Sequence, residues 1–267
     1  MIFWDSHIHS DISFDGKFSI DEFVASARKL GLSGLTFTEH FDIYDGMDPH
    51  DEKAKPFDKD EYETKLSKAK ALYGDFVRKG VEIGLRPDSA KEVEKIAHLF
   101  DYDFIIGSSH IVSMKNISHD YSFYSGLTKE EAYEKYLKEV YENIMLCHEN
   151  FDVYGHLDYV ARYGKYDNPK MECSDTLDSV LKLIIEKGKG IEVNTAAYRL
   201  GLGEPHPNKG ILKRYRELGG EIITLGSDAH CPDHLSFSFE KACDALRDIG
   251  FKYYSVYAER RPEFIKL

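Results

Sequence analysis

The chain has little that could cross-link, anchor or segment it. Its four cysteines, Cys147, Cys173, Cys231 and Cys243, form no C-x-x-C pair and no dense framework. That argues against a disulfide scaffold and points to a reducing, cytoplasmic setting. No stretch is apolar for long enough to cross a bilayer, so no membrane partner is expected. The N-terminus has no basic region before Asp5 and His7, which speaks against a secretory leader. Basic residues are in deficit: 35 Lys and Arg stand against 47 Asp and Glu, a formal charge of −12. Proteins that grip nucleic acid usually carry a basic surface, so no nucleic-acid partner is expected. A small anion is still admissible, because bound cations can reverse the local field. Repeats, low-complexity tracts and Pro/Gly/Ser-rich linkers are also missing, so residues 1–267 read as one domain. No pattern specifies an oligomeric state.

What is present is ample apolar material, 42% hydrophobic and 13% aromatic, arranged as β-rich runs that alternate with helical patterns. Ser19 with Glu22 forms a capping box opening a helix that Gly31 stops, and Thr128 with Glu131 forms a second, opening a helix to about Cys147. Further helices are expected at 58–79, 89–100, 174–187, 208–218 and 239–248, with a polar loop at 42–56 and a last apolar stretch at 252–256. Repeated strand–helix units over this length predict an α/β fold, a (β/α) barrel rather than an open doubly wound sheet, with its chemistry on the loops after the strands.

Six of the apolar runs carry metal-binding residue types at or near their ends: 2–9, 34–40, 81–84, 104–110, 153–156 and 222–230. His7 and His9, two apart on a strand, project to the same side and can share a cation. Asp228-Ala229-His230 repeats that spacing at the far end of the chain. His40, His110 and His156 each close another run. Glu82 lies between Val81 and Ile83, where an unpaired charge is costly and a bridging position between two cations removes the cost. One such run could be incidental; six predict a polynuclear centre at one barrel mouth. His50, His98, His119, His148 and His234 fall in helical or polar stretches and read as ordinary histidines. Oxygen and imidazole ligation without cysteine suits Zn, Mn or Fe.

Asp5-Ser6-His7-Ile8-His9, Thr38-Glu39-His40, Ser108-Ser109-His110, Gly155-His156-Leu157-Asp158 and Ser227-Asp228-Ala229-His230 resemble, in order, the motifs of the polymerase-and-histidinol-phosphatase (PHP) superfamily. Val81–Asp88, Glu192–Ala196 and Tyr198-Arg199 resemble its histidinol-phosphatase branch. The resemblance implies a distorted barrel of seven main strands holding two or three divalent metals. It implies His7, His9, Glu82 and Asp228 around one ion, and Glu82, His110 and His156 around a second. Asp15, His40 and His230 would hold a third, although Asp15 in Phe14-Asp15-Gly16 reads equally well as a turn aspartate. It also implies phosphate-binding arginines in the segments of Arg162 and Arg199.

Clustered cations suit hydrolysis of a phosphoester, since they lower the pKa of water and draw charge from phosphoryl oxygens. No Ser or Cys stands in a nucleophile setting, and Cys231 beside His230 reads as a bystander. Asp228 and His230 are the expected catalytic ligands, with Arg162 and Arg199 available for bidentate contact with phosphate. Glu39 and Asp158, near His40 and His156 in sequence, are candidates to orient ligand imidazoles. The loop 111–126 could wall the substrate's organic half or merely pack, and 204–207 reads as a stiff turn. The expected activity is a metal-dependent phosphatase for a small phosphorylated metabolite, L-histidinol phosphate foremost. The rivals are a nucleotide phosphoesterase, a non-catalytic metal scaffold, and an amidohydrolase, which lacks the lysine expected between its metals.

Overall fold

A computed structural model describes residues 3–43 and 56–267. Seven strands run parallel: β1 (Trp4–Ile8), β2 (Gly34–Phe41), β3 (Val77–Gly84), β4 (Phe104–Ser108), then, after a small β5–β6 hairpin (Ile111–Val112, Lys115–Asn116), β7 (Val153–Tyr154), β8 (Gly190–Asn194) and β9 (Ile223–Gly226). They neighbour one another in the order β1-β2-β3-β4-β7-β8-β9. The ring is closed just past the last strand, where the His9 amide donates to the Ala229 carbonyl (2.9 Å) and the Ala229 amide to that of His7 (3.3 Å). The result is a nearly closed seven-stranded barrel. Its strands are covered on both faces, which is why they read as continuous apolar runs instead of alternating ones.

Close approach between strands fixes register. At Gly34 an added Cβ would fall 2.2 Å from the Trp4 ring, whose indole N–H donates to Thr36 Oγ1 at 2.9 Å. The β2–β3 ladder then brings His40 beside Glu82.

Helices α1 (Ile20–Leu30), α2 (Lys59–Tyr73), α3 (Ala90–Ala97), α4 (Lys129–Cys147), α5 (Val160–Tyr163), α6 (Asp175–Glu186), α7 (Ala196–Arg199), α8 (Lys209–Glu217) and α9 (Phe239–Ile249) connect the strands. Both expected capping boxes are formed, and Gly31 ends α1 in the left-handed region (φ 73°). Among the described residues no helix is long and apolar enough to cross a membrane.

One expectation needs correction. The helix read over 58–79 ends at Tyr73: Gly74 (φ 59°) turns the chain and 77–84 becomes β3. Arg78 and Lys79 disguised this strand. Arg78 lies 4.3 Å from the Trp4 ring, and Lys79 pairs with Glu63, so both charges are accommodated at the strand's flank. The stretch 252–256 joins an antiparallel hairpin, β10 (Tyr253–Ala258) with β11 (Arg261–Lys266), outside the barrel ladder. Most of the loop expected at 42–56, and His50 within it, lies outside the described residues.

Candidate metal centre

All the predicted ligands come together at the C-terminal ends of the strands. His7 lies on β1 with His9 directly after it, His40 on β2 and Glu82 on β3. His110 and His156 follow β4 and β7 by two residues, and Asp228 follows β9 by two. In the first group, His7 Nε2 lies 3.3 Å from Glu82 Oε2 and 3.8 Å from Asp228 Oδ1. His9 Nε2 lies 3.6 and 3.5 Å from the same two atoms. Tetrahedral zinc bonds of 2.0–2.1 Å separate ligand atoms by about 3.4 Å, so this spacing fits one cation. In the second group, Glu82 Oε1 lies 3.3 Å from His110 Nε2 and 2.9 Å from His156 Nε2, which are 3.4 Å apart. Each oxygen of Glu82 thus faces a different group. The third gathers around the partly exposed Asp15: its Oδ2 is 3.0 Å from His230 Nε2 and 3.5 Å from His40 Nε2.

The burial of this cluster bears on what it holds. Among the described residues, His7 Nε2, His9 Nε2, His40 Nδ1 and Glu82 Oε2 are buried without a hydrogen-bond partner, although His40 Nδ1 stands 2.9 Å from Glu82 Oε2. Orphaned polar atoms converging in a protein interior are costly unless a cation satisfies them. Burial works to lower the His7 pKa, yet Glu192, Glu82 and Asp228 together hold it well above its ordinary value. Burial acts the same way on His110, where Asp42 and Glu82 prevail and push it up to about 10. Burial, then the charges of His40 and His230, push His9 well below. Glu82 and Asp228 are held well below the carboxylate range despite burial, chiefly by His7. Positive charge is therefore demanded here, and protons or metal ions can supply it. The residues fit divalent cations.

Two short helices bring the arginines. Arg162, on α5, donates through Nη1 to Asp228 Oδ2 at 3.4 Å, while its buried Nε and Nη2 have no hydrogen-bond partner among the described residues. Arg199, on α7, is differently engaged: Nη1 and Nη2 donate to the carbonyls of Ser227 (2.6 Å) and Asp228 (2.9 Å). It thereby grips the turn that holds Asp228 at φ 53°, a left-handed conformation uncommon outside glycine.

Sequence neighbours proved poor guides to the outer contacts. Glu39 touches no ligand imidazole; it accepts from the hydroxyls of Ser10 and Ser13, and Ser13 Oγ in turn lies 3.4 Å from His9 Nδ1. Asp158 pairs with His206 (2.6 Å) and the Asn208 amide (3.0 Å), because its side chain turns toward the 204–208 loop. The partners that do back the ligands are Glu192 on His7 Nδ1 (2.5 Å) and Asp42 on His110 Nδ1 (3.0 Å). Glu192 carried the same signal as Glu82, a carboxylate between Ile191 and Val193. Of the histidines read as ordinary, His98 and His148 bond backbone carbonyls one turn back in α3 and α4, and His119 bonds Ser118.

A parallel barrel that gathers histidines and carboxylates at one mouth defines a class, and the PHP domain profile matches residues 5–196. The chain belongs to the PHP domain family. Among its relatives, a Clostridium acetobutylicum protein named "Probable histidinol-phosphatase" is 32% identical over 266 residues, 98% of each chain. The histidinol-phosphatase of Lactococcus lactis subsp. lactis is 30% identical over 253 residues, covering 92% of this chain and 91% of the relative. The crystal structure of the Lactococcus lactis histidinol phosphate phosphatase, complexed with zinc, L-histidinol and phosphate, matches with a TM-score of 0.86. The two are 29% identical, and the match covers 98% of both chains.

Proposed function

We propose that this protein is a metal-dependent phosphatase that hydrolyses L-histidinol phosphate to L-histidinol and phosphate. The observation that carries the reading is the pairing of two unmet demands in one pocket. Among the described residues, buried imidazole nitrogens and Glu82 Oε2 find no hydrogen-bond partner and are suited to a cation, and two buried donors of Arg162 find none and are suited to an anion. A phosphate monoester bound across divalent ions answers both. The relatives support the organic half: those compared are named for histidinol phosphate, and the Lactococcus lactis complex contains zinc with both products of its hydrolysis.

In this reading His7, His9, Glu82 and Asp228 hold one ion, and Glu82, His110 and His156 a second. Asp15, His40 and His230 hold a third. Zn, Mn or Fe suits these donors. When bound, such ions acidify water and draw charge from phosphoryl oxygens. Arg162 binds a phosphoryl oxygen through Nε and Nη2, a bidentate presentation that lysine could not make. Its Nη1 stays on Asp228, so the phosphate contact and a metal ligand share one rigid element. Arg199 steadies Asp228 from behind and keeps its Nε–H and one N–H on each Nη for the substrate. The four cysteines are free, which suits a reducing compartment.

The test is phosphate release by metal-replete protein from L-histidinol phosphate, compared with sugar phosphates, phosphoserine and nucleotides, with Asp228→Ala as control. Strong preference for histidinol phosphate, abolished in the variant, supports the reading. Release chiefly from nucleotides would withdraw the substrate, and activity undiminished in Asp228→Ala would withdraw the metal assignment.

A further inference from the structure

Glu82 shares the barrel interior with a second carboxylate. Glu192, from β8, is fully buried. Its Oε1 lies 2.5 Å from Nδ1 of His7, on the opposite ring edge from the nitrogen that faces Glu82 and Asp228. Its Oε2 accepts the backbone N–H of His156 at 2.9 Å and the Asn194 side-chain amide at 3.3 Å. The same amide nitrogen lies 3.3 Å from Asp228 Oδ2. One carboxylate therefore reaches a first-group imidazole with one oxygen and the main chain of a second-group ligand with the other. The His156 backbone needs such a hold, since its φ of 21° lies outside the common wells.

The neighbouring strand leaves room for this side chain. At Gly226, closing β9, an added Cβ would fall 2.2 Å from Glu192 Oε1 and 2.5 Å from His7 Cβ. The missing side chain at 226 is the space the carboxylate occupies.

We infer that Glu192 is a positioning residue common to two metal positions, aiming the His7 ring at one and fixing the His156 main chain for the other. The two cations are then tightened or loosened together. This rests on the metal reading given above. A carboxylate is required and an amide is insufficient. Both oxygens of Glu192 accept, whereas glutamine has one acceptor and would turn its NH2 against either the His7 Nδ1–H or the His156 N–H.

The experiment is a zinc titration of metal-stripped wild type and Glu192→Gln against a competing chelator. Bound metal is counted by elemental analysis and folding is followed by circular dichroism. Losing an outer carboxylate typically costs about 10–100-fold in metal affinity. The expected result is a folded variant whose two tightest zinc ions are both weakened in that range. Unchanged affinities, or a loss confined to one ion, overturn the inference. Glu192→Asp, which keeps the charge and both acceptor oxygens but withdraws them by one methylene, must show the same paired loss and decides the matter if Glu192→Gln does not fold. A wild type that takes up no zinc is a separate result, and sinks the metal reading itself.

Discussion

The two arginines show how far residue types alone can be trusted. Sequence places both on segments just after strands and suggests the same phosphate role for each. The structure separates them, one with free buried donors and one bonded to two carbonyls. Arg162→Ala should weaken inhibition by inorganic phosphate by roughly 10–100-fold, the equivalent of about 1.5–3 kcal/mol for a charged hydrogen bond. Arg199→Ala should instead lose about 2 kcal/mol of stability, a fall of about 4–8 °C by calorimetry for a chain of this size. Identical behaviour of the two variants would contradict the division. Asp15, in a turn before Gly16, came from the family resemblance alone, whereas the other eight of the nine proposed ligand positions were legible because each is a polar residue at or beside an apolar run. Glu192 gave that signal too, but knowing its partner required the barrel's curvature, which brings residue 192 across to residue 7. Asp42 was hidden for the same reason, since it backs His110 from the end of a different strand.

At the level of elements, local chemistry was read best where it is self-contained. A capping box is a contact between residues three apart, so Ser19–Glu22 and Thr128–Glu131 needed no tertiary information. Thr128→Ala should cost about 1 kcal/mol by leaving an amide of the first α4 turn unsatisfied. That corresponds to about 2–4 °C in a thermal melt, with phosphatase kinetics unchanged. A larger loss would mean the box also anchors the loop before it. The β3 start was misread because its first residues are charged and earn their place only through Trp4 and Glu63, neighbours distant in sequence. The strand order, by contrast, follows chain order around the ring, so alternation alone was enough to propose the barrel.

For the whole molecule, the centre couples folding, protons and metal. In the metal-free chain His7, His40 and His110 are held above their ordinary pKa, by neighbouring carboxylates that overcome burial. That shift favours their protonated form, and ligation must displace protons. Zinc loading should therefore release protons, and its affinity should rise as pH rises from about 6 to 8. Calorimetry in buffers of different ionisation enthalpy measures this directly; uptake of protons, or none exchanged, would contradict the assigned charge states. The stability held by these raised histidines in the metal-free form is fully present below an unfolded pKa of about 6.5. It fades as pH climbs toward about 10, the value for His110. Saturating zinc at about 100 times its dissociation constant adds roughly 2.7 kcal/mol, or about 5–10 °C, reversed by chelator.

The barrel's closure through Ala229 has a consequence for how the protein is made. Asp5 takes hydrogen bonds from Ser227, 222 positions away, and the proposed ligands beside them, His7 and Asp228, belong to the first strand and to the turn after the last barrel strand. A ribosome must deliver nearly the entire barrel before those two side chains can meet. Until then the nascent chain exposes scattered histidines but has no assembled first site. Metal capture at that position is thus deferred to the end of synthesis, and a prematurely terminated chain lacking β9 would leave it unformed.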